Sequence, residues 1–223
     1  MKRIVPLAFF TWVFAMAAAA ASGKASLRFL IERVPQGLAD ITWVAGDLTG
    51  GGLKLTADQL SAPIIVPGRV IGLKSVKDNQ PLATITLPEA GEAFVVLLLP
   101  EESGSLKPLV IPASDSAFRA GDVFLCNHSD KTIVGHLGTT EFELTPGQGK
   151  PVRPAADPSV NYYDVAISVR EESGDRMLRT MRWPIQMRSR SYGFFAKNPV
   201  KNRIEFRAVD ELIDLSKRPG TKK

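Results

Sequence analysis

The sequence contains a single cysteine, Cys126, and only two histidines, His128 and His136. One thiol excludes an intramolecular disulfide, so the stability of the chain has to come from its core. The stretch Asp122-Val123-Phe124-Leu125-Cys126-Asn127 is an apolar strand in which a buried, inert thiol is expected. No cysteine follows the N-terminal apolar run, which argues against a lipid-modified N-terminus. There is no G-x-S-x-G elbow and no H-E-x-x-H. Gly50-Gly51-Gly52-Leu53-Lys54 has neither the spacing nor the G-K-[ST] ending of a phosphate loop. Helical periodicity is also scarce, since only Asp210 to Leu215 has the pattern of a helical turn. These absences turn the reading away from an enzyme.

What is present first is a leader. Lys2 and Arg3 precede Ile4 to Ala21, a charge-free run that ends in five alanines before Ser22-Gly23. A basic start, an apolar stretch and small residues at an A-x-A site make a secretory signal peptide over residues 1–21, cleaved after Ala21, with Ala25 as the alternative. The competing reading is an uncleaved anchor, because the run is just long enough to span a bilayer. Its alanine-rich second half disfavours that. After cleavage no other segment is long and apolar enough to be a transmembrane helix, and a soluble periplasmic or secreted protein is expected.

Cleavage lowers the formal net charge from +5 to +3. The remainder is divided unevenly. Residues 22–175 hold 13 Lys and Arg against 19 Asp and Glu, a net of −6, whereas residues 176–223 hold 13 against 4, a net of +9. Either the two parts neutralise each other or the basic quarter meets an anionic partner.

Apolar residues alternate with polar ones in Leu27 to Val34, Leu82 to Leu87 and Tyr163 to Val169, the period-2 pattern of half-buried strands. Phe94 to Leu99 is uniformly apolar and predicts a strand buried on both faces. Turn residues recur every ~8–12 residues, as in sandwiches and barrels. The expected fold is all-β, a β-sandwich, with two successive modules as its fullest form: module 1 over 22–113, module 2 over 114–210 and a basic tail over 211–223. Glu-Glu-Ser-Gly, at 101–104 and 171–174, follows an apolar strand each time and suggests an internal repeat. The Glu101-Glu102 and Glu171-Glu172 pairs resemble catalytic carboxylates in type, but their Ser-Gly context makes them hairpin tips. A hydrolase would need two of them in one cleft.

Phe118 to Ser129, Gly135-His136-Leu137-Gly138 and Leu144-Thr145-Pro146-Gly147 together resemble the strand, return strand and Leu-x-Pro-Gly turn of exported bacterial β-sandwich proteins of cupredoxin-like or immunoglobulin-like type. That resemblance implies a sandwich fold and raises copper as a question. A blue-copper centre needs two histidines, a cysteine and usually an axial methionine. Cys126 and His128 share a strand face, and His136 would have to approach from the return strand. No histidine precedes Cys126, contrary to the cupredoxin order. Asp122, His128 and Ser129 are near in sequence, which is not the spatial convergence of a nucleophilic triad.

The C-terminal quarter carries the most distinctive surface chemistry. With strict alternation, Arg176 and Arg182 lie on one side of a strand and Arg179 on the other, while Arg188, Arg190 and Tyr192 share a face of the next. Beside Trp183, these arginines suggest a face that holds anionic groups, with Arg182, Trp183, Arg188, Arg190 and Tyr192 as its residues. The alternative is that they cover the acidic part of the chain. The expectation is an exported, non-catalytic envelope protein with a binding or assembly role, needing no cofactor. Its partner would be an anionic envelope polymer or an envelope protein rather than nucleic acid. A periplasmic copper-binding or electron-transfer protein using Cys126, His128 and His136 is the alternative.

Overall fold

The computed structural model describes residues 23–38, 40–113, 118–157 and 159–213; the expected signal peptide at 1–21 and most of the basic tail, 214–223, lie outside them. The described chain is all-β, with sixteen strands, and contains no helix. The first half comprises β1 (Ala25–Ile31), β2 (Ile41–Ala45), β3 (Leu48–Leu53), β4 (Ile64–Val66), β5 (Val70–Ser75), β6 (Pro81–Thr86), β7 (Ala93–Pro100) and β8 (Leu106–Pro112). The second comprises β9 (Val123–His128), β10 (Ile133–Leu137), β11 (Thr140–Leu144), β12 (Gly149–Val152), β13 (Tyr162–Glu171), β14 (Gly174–Pro184), β15 (Ser189–Asn198) and β16 (Arg203–Leu212).

Each half is a sandwich of two four-stranded sheets, and the strand order is the same in both. Order β4-β1-β7-β8 in the first half matches β12-β9-β15-β16 in the second, and β3-β2-β5-β6 matches β11-β10-β13-β14. In each, the first strand pairs in parallel with the seventh, β1 with β7 and β9 with β15. The repeat is therefore one of topology. The two Glu-Glu-Ser-Gly copies do not mark it, because 101–104 joins β7 to β8 whereas 171–174 joins β13 to β14, whose counterpart is the β5–β6 turn.

Three apolar layers stack through the molecule. Leu27, Phe29, Ile31, Phe94, Val96 and Leu98 fill the first sandwich with Ile41, Ile71, Leu73 and Ile85. Val123, Leu125 and Phe195 fill the second with Ile133, Phe142, Val165 and Ile167. Between the halves, Leu30, Val95, Leu97 and Leu99 pack against Phe124, Cys126, Tyr192, Phe194 and Val209. Alternate residues of β7 thus enter different cores, which is why Phe94 to Leu99 shows no polar phase. Each such side chain contributes about 1.5–3 kcal/mol on burial.

Glycines at 50 and 138 mark close approaches. Gly50 faces Trp43 across the β2–β3 ladder. A Cβ there would lie 1.8 Å from the indole, so the run Gly50-Gly51-Gly52 makes room for a ring and forms a strand. Gly138 has φ of +60°, and a Cβ would lie 1.7 Å from the Ala155 carbonyl oxygen.

The helical turn expected over Asp210 to Leu215 is absent at its described residues, because β16 continues to Leu212. Along that end Glu211 is buried and Leu212 is exposed, the reverse of their hydrophobicity. Ion pairing of Glu211 across β15 decides the phase.

Candidate anion-binding cleft

β13 and β14 form a long antiparallel hairpin whose register shifts between Ile167 and Ser168, opposite Arg179 and Met177. One residue of β14, Leu178, is therefore extra. A bulge of this kind reverses which side the following residues face. Arg176 lies opposite Val169 and Arg179 opposite Ile167, both core residues, so the two arginines come to the same side. Arg182 lies opposite Asp164 and faces the other way. The alternation expected for these three residues is thus corrected by one inserted position.

β14 is an edge strand of the outer sheet and β16 an edge strand of the sheet beneath it. Along the open side of the second sandwich they border a cleft of about 490 Å³, lined by Arg176, Arg179, Lys201, Arg203 and Glu205, with Leu178, Ile204 and Phe206 beneath. Four cations meet one carboxylate. Asn198 donates to Glu205 at 2.8 Å, Lys201 contacts it at 3.0 Å and Arg203 at 3.2 Å. The Asn198 hydrogen bond, followed by the Lys201 contact, holds the Glu205 carboxyl down to about 2. Arg176 reaches Glu171 at 2.7 Å. These pairs are exposed, and exposed ion pairs are worth little, so the cations remain available to a ligand that presents several anionic groups.

The residues expected to form a basic-aromatic face are not brought together. Arg182 is exposed, lies over the Tyr162 ring at 4.8 Å and reaches Asp164 at 3.4 Å. Trp183 faces inward, against Tyr163 and Phe206. Arg188 is exposed and precedes β15. Arg190 and Tyr192 do share a strand face, but that face is the junction between the sandwiches. There Arg190 donates to Glu211 Oε2 at 2.8 Å and to the Ala113 carbonyl at 2.8 Å, and lies over Phe118 at 4.9 Å. The Tyr192 hydroxyl donates to the same carboxylate at 2.6 Å, and Arg28 of β1 reaches its other oxygen at 2.6 Å. Burial pushes the Tyr192 phenol far above its ordinary value.

Arg207 makes a similar crossing, donating to the carbonyls of Ala57, Ile31 and Glu32 and lying over Phe194. These contacts are internal complementarity between the basic end of the chain and the first half.

The copper candidates also diverge. Cys126 is fully buried between the halves, and burial pushes its thiol up to about 12. His128, two residues along the same face, turns its Nδ1 to Glu32 at 2.5 Å. His136 belongs to the outer sheet, where its Nδ1 meets the Gly138 carbonyl at 2.8 Å. Among the described residues no three His, Cys, Asp or Glu side chains are grouped to hold a metal. No helix among them is long and apolar enough to cross a membrane.

Compared with known protein families and with curated proteins, the chain matches none.

Proposed function

We propose that the protein is an exported, non-catalytic component of the cell envelope that holds an anionic polymer along the cleft between β14 and β16. The observation that carries this reading is the local imbalance of charge: Arg176, Arg179, Lys201 and Arg203 line one cleft, and Glu205 is the one carboxylate among its lining residues. Arginine donates paired hydrogen bonds to phosphate or carboxylate, and a repeating polyanion can satisfy several at once. Export rests on the leader at residues 1–21. An extracytoplasmic setting makes phosphate- or carboxylate-bearing envelope polymers the natural ligands. The copper alternative draws no support from the placement of Cys126, His128 and His136.

The test is retention of the mature chain on immobilised poly(glycerol phosphate). Retention should weaken steeply with salt, because separated surface charges are screened beyond about 8 Å at physiological ionic strength. Arg179→Ala and Arg203→Ala should each reduce it, whereas Arg188→Ala, away from the cleft, should not. Equal retention of all three variants would remove the cleft from the account.

A further inference from the structure

Glu205 stands among the cations of the β14–β16 cleft, and Asn198 sets its place. Asn198 Nδ2 donates to Glu205 Oε2 at 2.8 Å, while Asn198 Oδ1 accepts from the backbone amides of Val200 at 2.9 Å and Lys201 at 3.0 Å. The side chain that holds the carboxylate is thus itself locked into the β15–β16 turn. Lys201 and Arg203 both close on the other oxygen, Oε1, at 3.0 and 3.2 Å.

The two oxygens therefore do different things. Oε2 keeps the carboxylate in place, and Oε1 occupies two of the cations that face a ligand. Both cations are exposed, Lys201 by 54% and Arg203 by 66% of the side chain, so rotamer changes alone take them off Glu205. The carboxylate stays behind on Asn198. That hydrogen bond, followed by the Lys201 contact, holds its carboxyl at about 2, so it is an anion throughout the neutral range. Arg179, by contrast, forms no ion pair with any described residue.

We propose that Glu205 is the specificity-determining residue of the cleft, an internal competitor that keeps Lys201 and Arg203 from single anions and yields them to a ligand whose anionic groups are linked. The inference rests on the polyanion reading of the cleft. A lone phosphodiester has to displace a carboxylate that is tethered beside its cations and so present at a high effective concentration. A polymer meets it on equal terms, because one group held by Arg179 brings the next to Lys201 and Arg203 as an intramolecular event. The pairs given up are exposed and individually weak, so the competitor turns away monomers without shutting out the polymer. The opposite role, a brace that positions Lys201 and Arg203 for the ligand, predicts the opposite sign when the carboxylate is removed.

The probes are poly(glycerol phosphate) and its single phosphodiester unit, glycerophosphoglycerol, titrated into the chain from Ser22 onward and followed by the amide chemical shifts of Arg179, Lys201 and Arg203. In the wild type the polymer should shift all three saturably, whereas the single unit should leave Lys201 and Arg203 unmoved up to about 10 mM. Glu205→Gln keeps an acceptor for Asn198. It should let the single unit shift Lys201 and Arg203, and should raise the affinity for the polymer by about tenfold, the scale of two exposed pairs that no longer have to be given up. Glu172→Gln removes the same charge from the β13–β14 turn, outside the cleft lining, and should change either affinity by less than about twofold. Wild-type binding of the polymer with Glu205→Gln equal or weaker, an equal gain in Glu172→Gln, or shifts at Lys201 and Arg203 from the single unit in the wild type would each overturn the competitor and leave the cleft reading standing. A wild type that does not bind the polymer would overturn the cleft reading, and the competitor with it.

Discussion

Arg190 and Glu211 are cross-strand partners on β15 and β16, both almost fully buried, with the guanidinium Nη2 2.8 Å from Oε2. They sit where the two sandwiches meet. Arg28 from the first half reaches the same carboxylate, so one buried anion is shared by cations of both halves.

Removing Arg190 takes its ion pair and two hydrogen bonds from Glu211 Oε2, leaving the buried carboxylate with Arg28 at its other oxygen. Arg190→Met should destabilise the protein by about 3–5 kcal/mol, the usual cost of breaking a buried ion pair from one side. Urea denaturation would measure it. Arg182→Ala, which removes an exposed cation, should stay within about 0.5 kcal/mol. Similar losses in the two variants would contradict the assignment of Arg190 to the junction.

Cys126 should be unreactive in the native chain. Burial is the main cause of its raised value, with the Glu32 charge adding to it, so almost no thiolate exists near neutral pH. A thiol reagent should label it only at the rate of unfolding, giving one equivalent in denaturant. Rapid native labelling would show that the space between the halves opens readily.

Gly138→Ala should be costly. Its φ of +60° disfavours a side chain, and the Cβ would run into the Ala155 carbonyl oxygen. A thermal melt should show a loss larger than the ~1 kcal/mol typical of point mutations. At Gly104, with φ of +86° and open space around it, the same change meets only the backbone penalty and should cost less.

Acid should act on the cleft late. Glu205 titrates at about 2 in the folded chain against an ordinary 4.5, chiefly through the Asn198 hydrogen bond. Its value is depressed on folding, so its stabilisation is complete above about pH 4.5 and is lost as pH falls toward 2. Carboxyl-carbon NMR should show that low midpoint, and Asn198→Ala should raise it. A wild-type midpoint near the ordinary value would contradict the cation cluster around Glu205.

Much of the fold was legible in the sequence because sheet periodicity is local. Alternation located β6 and β13, and the unbroken apolar run of β7 anticipated its two buried faces. The site was less legible. Strict alternation separated Arg176 from Arg179, and nothing in Met177-Leu178 announces the bulge that unites them. Arg190 and Tyr192 were correctly placed on one face, but composition does not reveal that this face meets another sheet. Glu211, which fixes that junction, resembled part of a helical turn because the partners that bury it are Arg28, about 180 residues earlier in the chain, and Arg190 on the neighbouring strand.

The most direct test of the cleft is the affinity of the chain from Ser22 onward, and of its Arg179→Glu/Arg203→Glu variant, for soluble poly(glycerol phosphate), measured by calorimetry at two salt concentrations. The account predicts at least a tenfold loss of affinity, about 1.4 kcal/mol, together with a shallower salt dependence and an unchanged melting temperature. Equal affinity and equal salt dependence in the two proteins would contradict it.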